Sequence, residues 1–451
     1  MKLQTLTFEK KSGIPIYKQL YEKLRADILN GHVKHGDQLM SIRLCEKQWK
    51  ISRTSIERAY ELLLLEGYII SIPQKGYYVD VDEKHRGLRK QLMDNTKDTH
   101  HEIIRYDFRS QTMDKDAFDI TLWKRYLKDV LDRNEDIMTY GDPQGELSLR
   151  IALKQYGYAM RGVFADPKNI VIGASFQSLL YQLCGFLGDE QIIGLEESGF
   201  IQAEQVFHDY QIPFVKLSSY QDGVSIEELK AHHISVLYVN AGSVGSNHQP
   251  LSVHKRKEIL AWAQECHAIV IEDDHNGELR YASKSHPCMQ SFDMGEHVIY
   301  IGSFSKLLLP SLRISYLVLN QELSSRYDKS CYGPSASKIE QLALASYILD
   351  GHMERHVKRL RKRYEAKSRC MLELLQRYDA KADYVLEESA LQLIVRFHEK
   401  LDIDAVIALC QQKQMRLNKN AQNELVLSFA GIAIEQMEQA IQELSELWNS
   451  L

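Results

Sequence analysis

Cysteine is scarce and unpatterned in this chain of 451 residues. Its seven cysteines (Cys45, Cys184, Cys266, Cys288, Cys331, Cys370 and Cys410) are odd in number and form no CxxC pair. That spacing argues against a disulfide framework and offers no zinc-ligand set, and it suits a reducing compartment, so a cytoplasmic location and no metal are expected. No apolar run approaches the roughly 20 residues that a membrane helix needs. The opening MKLQTLTFEKKSG also lacks the apolar stretch of a secretion signal, so no membrane partner is expected. Neither sign of charge dominates: 56 Lys and Arg stand against 61 Asp and Glu, for a net charge of −5. The 44% hydrophobic and 26% charged fractions exclude a collagen-like, mucin-like or wholly disordered chain. At about 100–200 residues per domain, this length implies two or three domains.

The charge is unevenly placed. Residues 1–84 hold 14 Lys and Arg against 11 Asp and Glu, a surplus of three, which leaves eight net negative charges on the rest. A mildly basic head on an acidic body points to a polyanionic partner for the head.

In the head, residues 15–30 place Ile16, Leu20, Leu24 and Ile28 at helical spacing, and Gly31 suits the position after a helix. A second short helix is expected over 41–49. Ser52 is a good N-cap for a third, which stops at Gly67. On this helix Ile56, Ala59, Tyr60 and Leu63 share one face, while Arg53, Thr54 and Arg58 lie off it. Two β-like runs, 68–70 and 77–79, flank Pro73-Gln74-Lys75-Gly76 and predict a hairpin with a basic tip. Three helices and a hairpin make a winged helix-turn-helix, in which one helix enters the major groove and the wing sits on phosphates. A small helical adaptor with a solvated basic face is the plainer alternative for three helices alone.

The residues decide between them. The stretch LMSIRLCEKQWKISRTSIERAYELLLLEGYIISIPQKGYYV resembles the DNA-binding domain of GntR-type regulators, through Ser41, Arg43, Ser52, Arg53, Thr54, Ala59, Tyr60, Leu62, Glu66, Gly67, Gly76 and Val79. Met40 replaces a customary proline, and Gln74 stands where a wing glycine is expected. The resemblance implies that Ser41, Arg43, Ser52, Arg53 and Thr54 meet duplex DNA, with Lys75 on the backbone.

Residues 81–105 are polar, strongly charged and aperiodic, and read as a solvated tether between a head of residues 1–80 and a body of residues 106–451. In the body, continuous apolar runs at 170–172, 191–194, 236–239, 268–271 and 298–301 alternate with helical stretches such as HKRKEILAWAQE. Continuous rather than alternating apolar strands predict an α/β sheet covered on both faces. Ligands of such sheets bind beyond the carboxyl ends of the strands. There the sequence sets Glu272-Asp273-Asp274-His275, Gly302-Ser303-Phe304-Ser305-Lys306 with Arg313 seven residues on, and Gly173-Ala174-Ser175-Phe176-Gln177.

Pyridoxal phosphate needs that set. A lysine amine forms the Schiff base, and a carboxylate pairs with the pyridinium nitrogen. Arginine, hydroxyl and backbone donors hold the phosphate, and an aromatic such as Phe200 stacks on the ring. Each feature alone is also what an ordinary loop or cap would show.

Three segments bear a resemblance to fold-type I aminotransferases: TYGDPQGELSLRIALKQYGYAMRGVFADPKNIVIGASFQSLL, IEDDHNGELRY and YIGSFSKLLLPSLRISYLV. A GntR head fused to such a body resembles the MocR/GabR-type transcription regulators over nearly the whole chain. The resemblance implies a multi-domain protein: an α+β winged helix-turn-helix followed by an α/β PLP-dependent aminotransferase-like fold. It implies that Lys306 holds pyridoxal 5'-phosphate, that Asp273 pairs with the ring nitrogen, and that Arg313, Ser303 and Ser305 lie near the phosphate. Ser175, Phe176 and Gln177 come from the other side, and Tyr140 reaches a neighbouring subunit in a homodimer. His275 stands where the family has a tyrosine on the ring oxygen, and Ser175-Phe176 replaces the Gly-Ala of the phosphate turn. The segment NELVLSFAG is apolar where an arginine would hold an amino-acid carboxylate, leaving Arg396 and Arg416 as substitutes. The reading that follows is a DNA-binding regulator that senses a small amine or amino-acid effector, rather than an enzyme. The alternatives are a working aminotransferase with an accessory head, or a cofactor-free regulator whose body only dimerises.

Overall fold

Apolar spacing and capping side chains account for the three helices of the head. Helix α1 (Ile16–Leu29) buries Leu20, Tyr21, Leu24 and Ile28, and Gly31 follows it at φ 77°. Helix α2 (Ile42–Trp49) starts at Ser41, whose Oγ accepts from Leu44 N at 3.3 Å, and α3 (Arg53–Leu65) starts at Ser52, whose Oγ accepts from Ser55 N at 3.3 Å. Each cap satisfies a backbone donor that a helix start leaves open. The buried face of α3 is Ile56, Ala59, Tyr60 and Leu63, as the spacing predicts. Tyr60 ties α3 to the start of α2 by donating its hydroxyl to Met40 O at 2.8 Å. The wing is an antiparallel hairpin of β1 (Ile69–Ile72) and β2 (Gly76–Val79). Gln74 takes φ 64° in its turn, a left-handed conformation that a glycine would adopt without strain.

This computed structural model describes residues 8, 13–82, 104–109, 112–133, 137–188, 190–196, 201–218, 220–245, 248–275, 277–282, 286–379, 381–388, 390–420 and 422–450. Of the tether expected at 81–105, residues 83–103 lie outside the described residues, as does Phe200. The chain divides into two compact units, Met1–Glu102 and Ile103–Leu451. Among the described residues no helix is long and apolar enough to cross a membrane.

In the second unit a short strand β3 (Tyr106–Asp107) precedes the main sheet. That sheet contains β4 (Ile170–Gly173), β5 (Ile193–Glu196), β6 (Phe214–Leu217), β7 (Val236–Val239), β8 (Ile269–Asp273), β9 (Val298–Ser303) and β10 (Ser315–Val318). The strand order is β4-β10-β9-β8-β7-β5-β6, with β10 antiparallel to both neighbours and the other pairings parallel. Successive residues of β7 feed different cores: Val236 and Tyr238 pack in one cluster, Leu237 and Val239 in another. Alternate side chains of a strand point to opposite faces, so both faces of the sheet are covered. β5 begins two residues later than its apolar run, because Ile192 N donates to the Ser235 hydroxyl instead of a ladder partner.

A four-stranded antiparallel sheet follows. It is built from β11 (Ala382–Glu387) and β12 (Gln392–Phe397), with β14 (Asn418–Lys419) and β15 (Leu425–Ser428), in the order β11-β12-β15-β14. A two-residue strand β13 (Met415–Arg416) pairs in parallel with β3.

Candidate functional site

On the head, Ser41, Arg43, Ser52, Arg53, Thr54 and Lys75 are all exposed. Ser41, Arg43, Glu46 and Arg53 line a cleft of about 530 Å³ that Gly76 and Tyr77 of the wing complete. The starts of α2 and α3 and the wing therefore present one surface. Ser41 and Ser52 reach it mainly as helix caps, with their Oγ atoms turned to backbone donors. Arg53 donates through Nε to Glu57 Oε1 at 2.8 Å. The positive end of the α3 dipole adds to the attraction for a phosphate.

In the body, the carboxyl ends of β4, β8 and β9 converge because of how the sheet is ordered. β10 lies between β4 and β9, so Ser315 faces Gly173 on one side and Ser303 on the other. Ser315 Oγ donates to Ser303 Oγ at 3.1 Å, and Ser303 and Ser305 share a hydroxyl contact at 3.3 Å. Directly past Gly173, Ser175 caps the 12-residue helix Phe176–Leu187 in a reciprocal box with Ser178, both bonds at 3.0 Å. Phe176 and Gln177 form its half-buried first turn, and the ring of Phe176 meets Tyr238 edge-on at 6.0 Å. Arg313 is exposed, in the left-handed conformation at φ 53°, which for a non-glycine residue marks a strained, over-determined position.

Alternation through the end of β8 and the residue after it sorts three carboxylates. Glu272 and Asp274 turn to buried arginines, Arg256 at 3.3 Å and Arg161 at 2.6 Å. Asp273 turns the other way, where it accepts from Tyr238 Oη at 2.5 Å, His275 N at 3.1 Å and His275 Nδ1 at 2.9 Å. Burial pushes the Asp273 carboxyl up, but the His275 charge and the hydrogen bonds from His275 and Tyr238 outweigh it and hold the group below the usual carboxylate range. Burial likewise pulls His275 down, and the Asp273 carboxylate more than reverses this, so the imidazole is raised. His275 thus engages the carboxylate of Asp273.

Lys306 is half-buried and its Nζ donates to Ala390 O at 3.0 Å. Desolvation pulls its amine down to about 8, partly opposed by Glu387. An amine so lowered is neutral far more often at physiological pH than an exposed lysine, which is what nucleophilic attack on an aldehyde requires. Beneath its loop, buried His356 donates Nε2 to Leu307 O at 2.7 Å, and burial holds this imidazole down at about 4. The unfolded chain binds a proton here that the folded chain refuses. Stability is therefore lost as pH falls below the usual histidine value toward 4, by about 3 kcal/mol at most. His356→Gln, which keeps a donor for Leu307, is expected to flatten this part of a melting-temperature profile against pH.

These residues fit pyridoxal phosphate. A carboxylate offers about four acceptor positions, and Asp273 has three occupied, so one remains for a ring N–H. Ser303 and Ser305 lie within three residues of Lys306, and Ser315 sets Gly173, two residues before the helix cap Ser175, alongside Ser303; hydroxyls and a helix start suit an anion. Tyr140 is 93% exposed. Of the substitute arginines, Arg396 is engaged by Glu424 at 2.6 Å, and Arg416 lies on β13 beside β3.

Two residues important to this arrangement escape a reading of the sequence. Tyr238 is one; a tyrosine inside an aliphatic strand signals a buried hydroxyl that needs a partner. Glu387 is the other, and nothing local in VLEESAL distinguishes it.

The fold and its two surfaces define a class: a winged-helix DNA-binding unit joined to an aminotransferase-like unit. Residues 16–79 match the model of the bacterial regulatory proteins of the gntR family. The chain is 30% identical over 451 residues to the HTH-type transcriptional regulator YdeL of Bacillus subtilis (strain 168), covering 96% of this chain and 97% of that protein. It is 27% identical to the probable rhizopine catabolism regulatory protein MocR of Rhizobium meliloti, covering 99% and 96%. In structure it is similar to a Pyrococcus horikoshii kynurenine aminotransferase, with a TM-score of 0.67, 22% identity, and 81% of this chain and 94% of that one covered. The chain belongs to the MocR-type transcriptional regulators, with a GntR-family winged helix-turn-helix and a fold-type I aminotransferase-like body.

Proposed function

We propose that this regulator binds an operator through its head, residues 1–80, and senses a small amine or amino acid through pyridoxal phosphate held in its body, residues 106–451, the two being joined by a tether over 81–105. The observation that carries this reading is the lowered Lys306 amine on the same sheet edge as an ionised Asp273. When bound, the cofactor supplies an aldehyde for an amine to condense with and an electron-withdrawing ring. Lys306 would hold its carbonyl carbon and Asp273 its ring nitrogen, with Ser175, Gln177, Ser303, Ser305 and Arg313 about the phosphate and Phe176, Phe200 and His275 around the ring. Ser41, Arg43, Ser52, Arg53, Thr54 and Lys75 would contact DNA. A homodimer belongs to the reading, with the exposed Tyr140 covered by a second copy. An effector that binds one conformation of the body better than another shifts the balance between them by its differential affinity and so alters operator binding.

The test is the visible absorption spectrum of the purified chain after incubation with pyridoxal phosphate and removal of the excess. A yellow protein is expected. A folded protein that stays colourless would overturn the cofactor reading and leave the DNA-binding reading standing.

A further inference from the structure

The surroundings of Lys306 are negatively charged in a place that the proposed function does not use. Glu387 and Gln392 are register partners at the end of the β11–β12 hairpin, and the turn between them supplies Ala390 O to Lys306 Nζ. The hairpin end therefore lies against the lysine. The turn after β7 meets it: Ser243 Oγ donates to Glu387 Oε1 at 2.7 Å, and His248 Nδ1 stands 3.5 Å from the same oxygen and 3.2 Å from Ser243 Oγ. Gln392 Nε2 donates to the other oxygen at 2.6 Å. The Glu387 and His248 side chains keep 13% and 15% of their exposure, so the carboxylate is enclosed without being sealed. Burial pushes Glu387 up, but His248, Ser243 and Gln392 outweigh it and hold the carboxyl down at about 2, so it is ionised at neutral pH.

A fixed carboxylate next to an amine-binding lysine discriminates by sign. It repels a ligand's own carboxylate and attracts a second ammonium group, and repulsion of the wrong ligand is as effective a source of specificity as attraction of the right one. β15 adds no cation here, since Val426 is 8% exposed and pairs in register with Ile394, and Arg396 is engaged by Glu424; the basic side chain that faces Glu387 is His248.

We propose that Glu387, oriented by Ser243, His248 and Gln392, selects a ligand with a second cationic group and no carboxylate, an α,ω-diamine with one amine toward Lys306 and the other toward Glu387. This rests on the Lys306 pocket being the effector site, and narrows the effector to one chemical class.

The test is a titration of the full chain, loaded with pyridoxal phosphate, with 1,4-diaminobutane, n-butylamine and 4-aminobutanoate. The readouts are the change in visible absorption and the shift in melting temperature. The diamine is expected to bind at least about tenfold more tightly than either of the others. Glu387→Gln, which keeps the size of the side chain, is expected to erase that preference, so that the diamine and the monoamine bind the variant within about twofold of each other. An amino acid that binds as tightly as the diamine, or a preference unchanged in the variant, overturns the proposal. Should the variant fail to fold, the comparison of the three ligands on the unaltered protein decides. A chain that takes up no cofactor overturns the Lys306 reading instead. Calorimetric titration of that chain with the same ligands then reads Glu387 alone, and the absence of a diamine preference there overturns the proposal too.

Discussion

Lys306→Ala is expected to abolish the visible absorption of the cofactor-treated protein and to leave operator affinity without effector within about twofold of the original. The amine at this position is the group the cofactor reading requires, and no other lysine lies in the segments that gather at the ends of β4, β8 and β9. Its removal leaves no buried charge unpaired, because its hydrogen-bond partner is a backbone carbonyl, Ala390 O, and the nearby Glu387 keeps Ser243, His248 and Gln392. The fold should therefore survive, since large losses of stability come from cavities, unpaired buried charges or broken networks. Absorption and gel-shift measurements on the same preparation check both halves. A variant that remained yellow and lost DNA binding would reverse the division of labour between head and body.

Arg53→Ala is expected to weaken specific operator binding by about 1–3 kcal/mol, the range of a bidentate contact to a base edge, and to relax preference at one base position. The competing term is small. Arg53 is paired with Glu57 in the free protein, with side chains 70% and 38% exposed, and exposed pairs at this spacing contribute only about 0.3–0.5 kcal/mol. Giving up that pair on the DNA therefore costs little beside what a base contact supplies. Fluorescence anisotropy with the operator and with a scrambled duplex separates the two effects. Equal loss on both duplexes would make Arg53 a phosphate contact, and no loss on either would remove it from the interface.

How much could be read in advance depends on how local the information is. The α3 helix was legible from its first residue to within about one of its last: Ser52 caps it, its apolar face repeats at helical spacing, and Gly67 follows the C-cap Glu66. The loops after β8 and β9 were legible because an abrupt change from apolar to polar residues marks where a strand leaves the core. β10 was not. Its four residues, Ser315–Val318, follow a single 3-10 turn at Pro310–Leu312, and a proline there marks a turn without saying that the chain reverses into the sheet. Yet this strand sets the distance between Ser175 and Ser303, since it lies between their parent strands. Gln74 and His275, both departures from the resembling families, were legible as substitutions, and only the coordinates show what they do. One sits strained in the wing turn, and the other binds the carboxylate of Asp273.

By itself the sequence determined that a basic helical head precedes an acidic α/β body, where five of the seven strands of the central sheet lie to within a residue or two, and which polar residues follow three of them. These depend on hydrophobic period, caps and charge within a few neighbours along the chain. Only the tertiary structure decided that Glu387 meets Ser243 across 144 residues and that Lys306 meets Ala390 across 84. Strand order and hairpin placement follow from burying both faces of a sheet at once, and that requirement leaves no mark on any single stretch of residues.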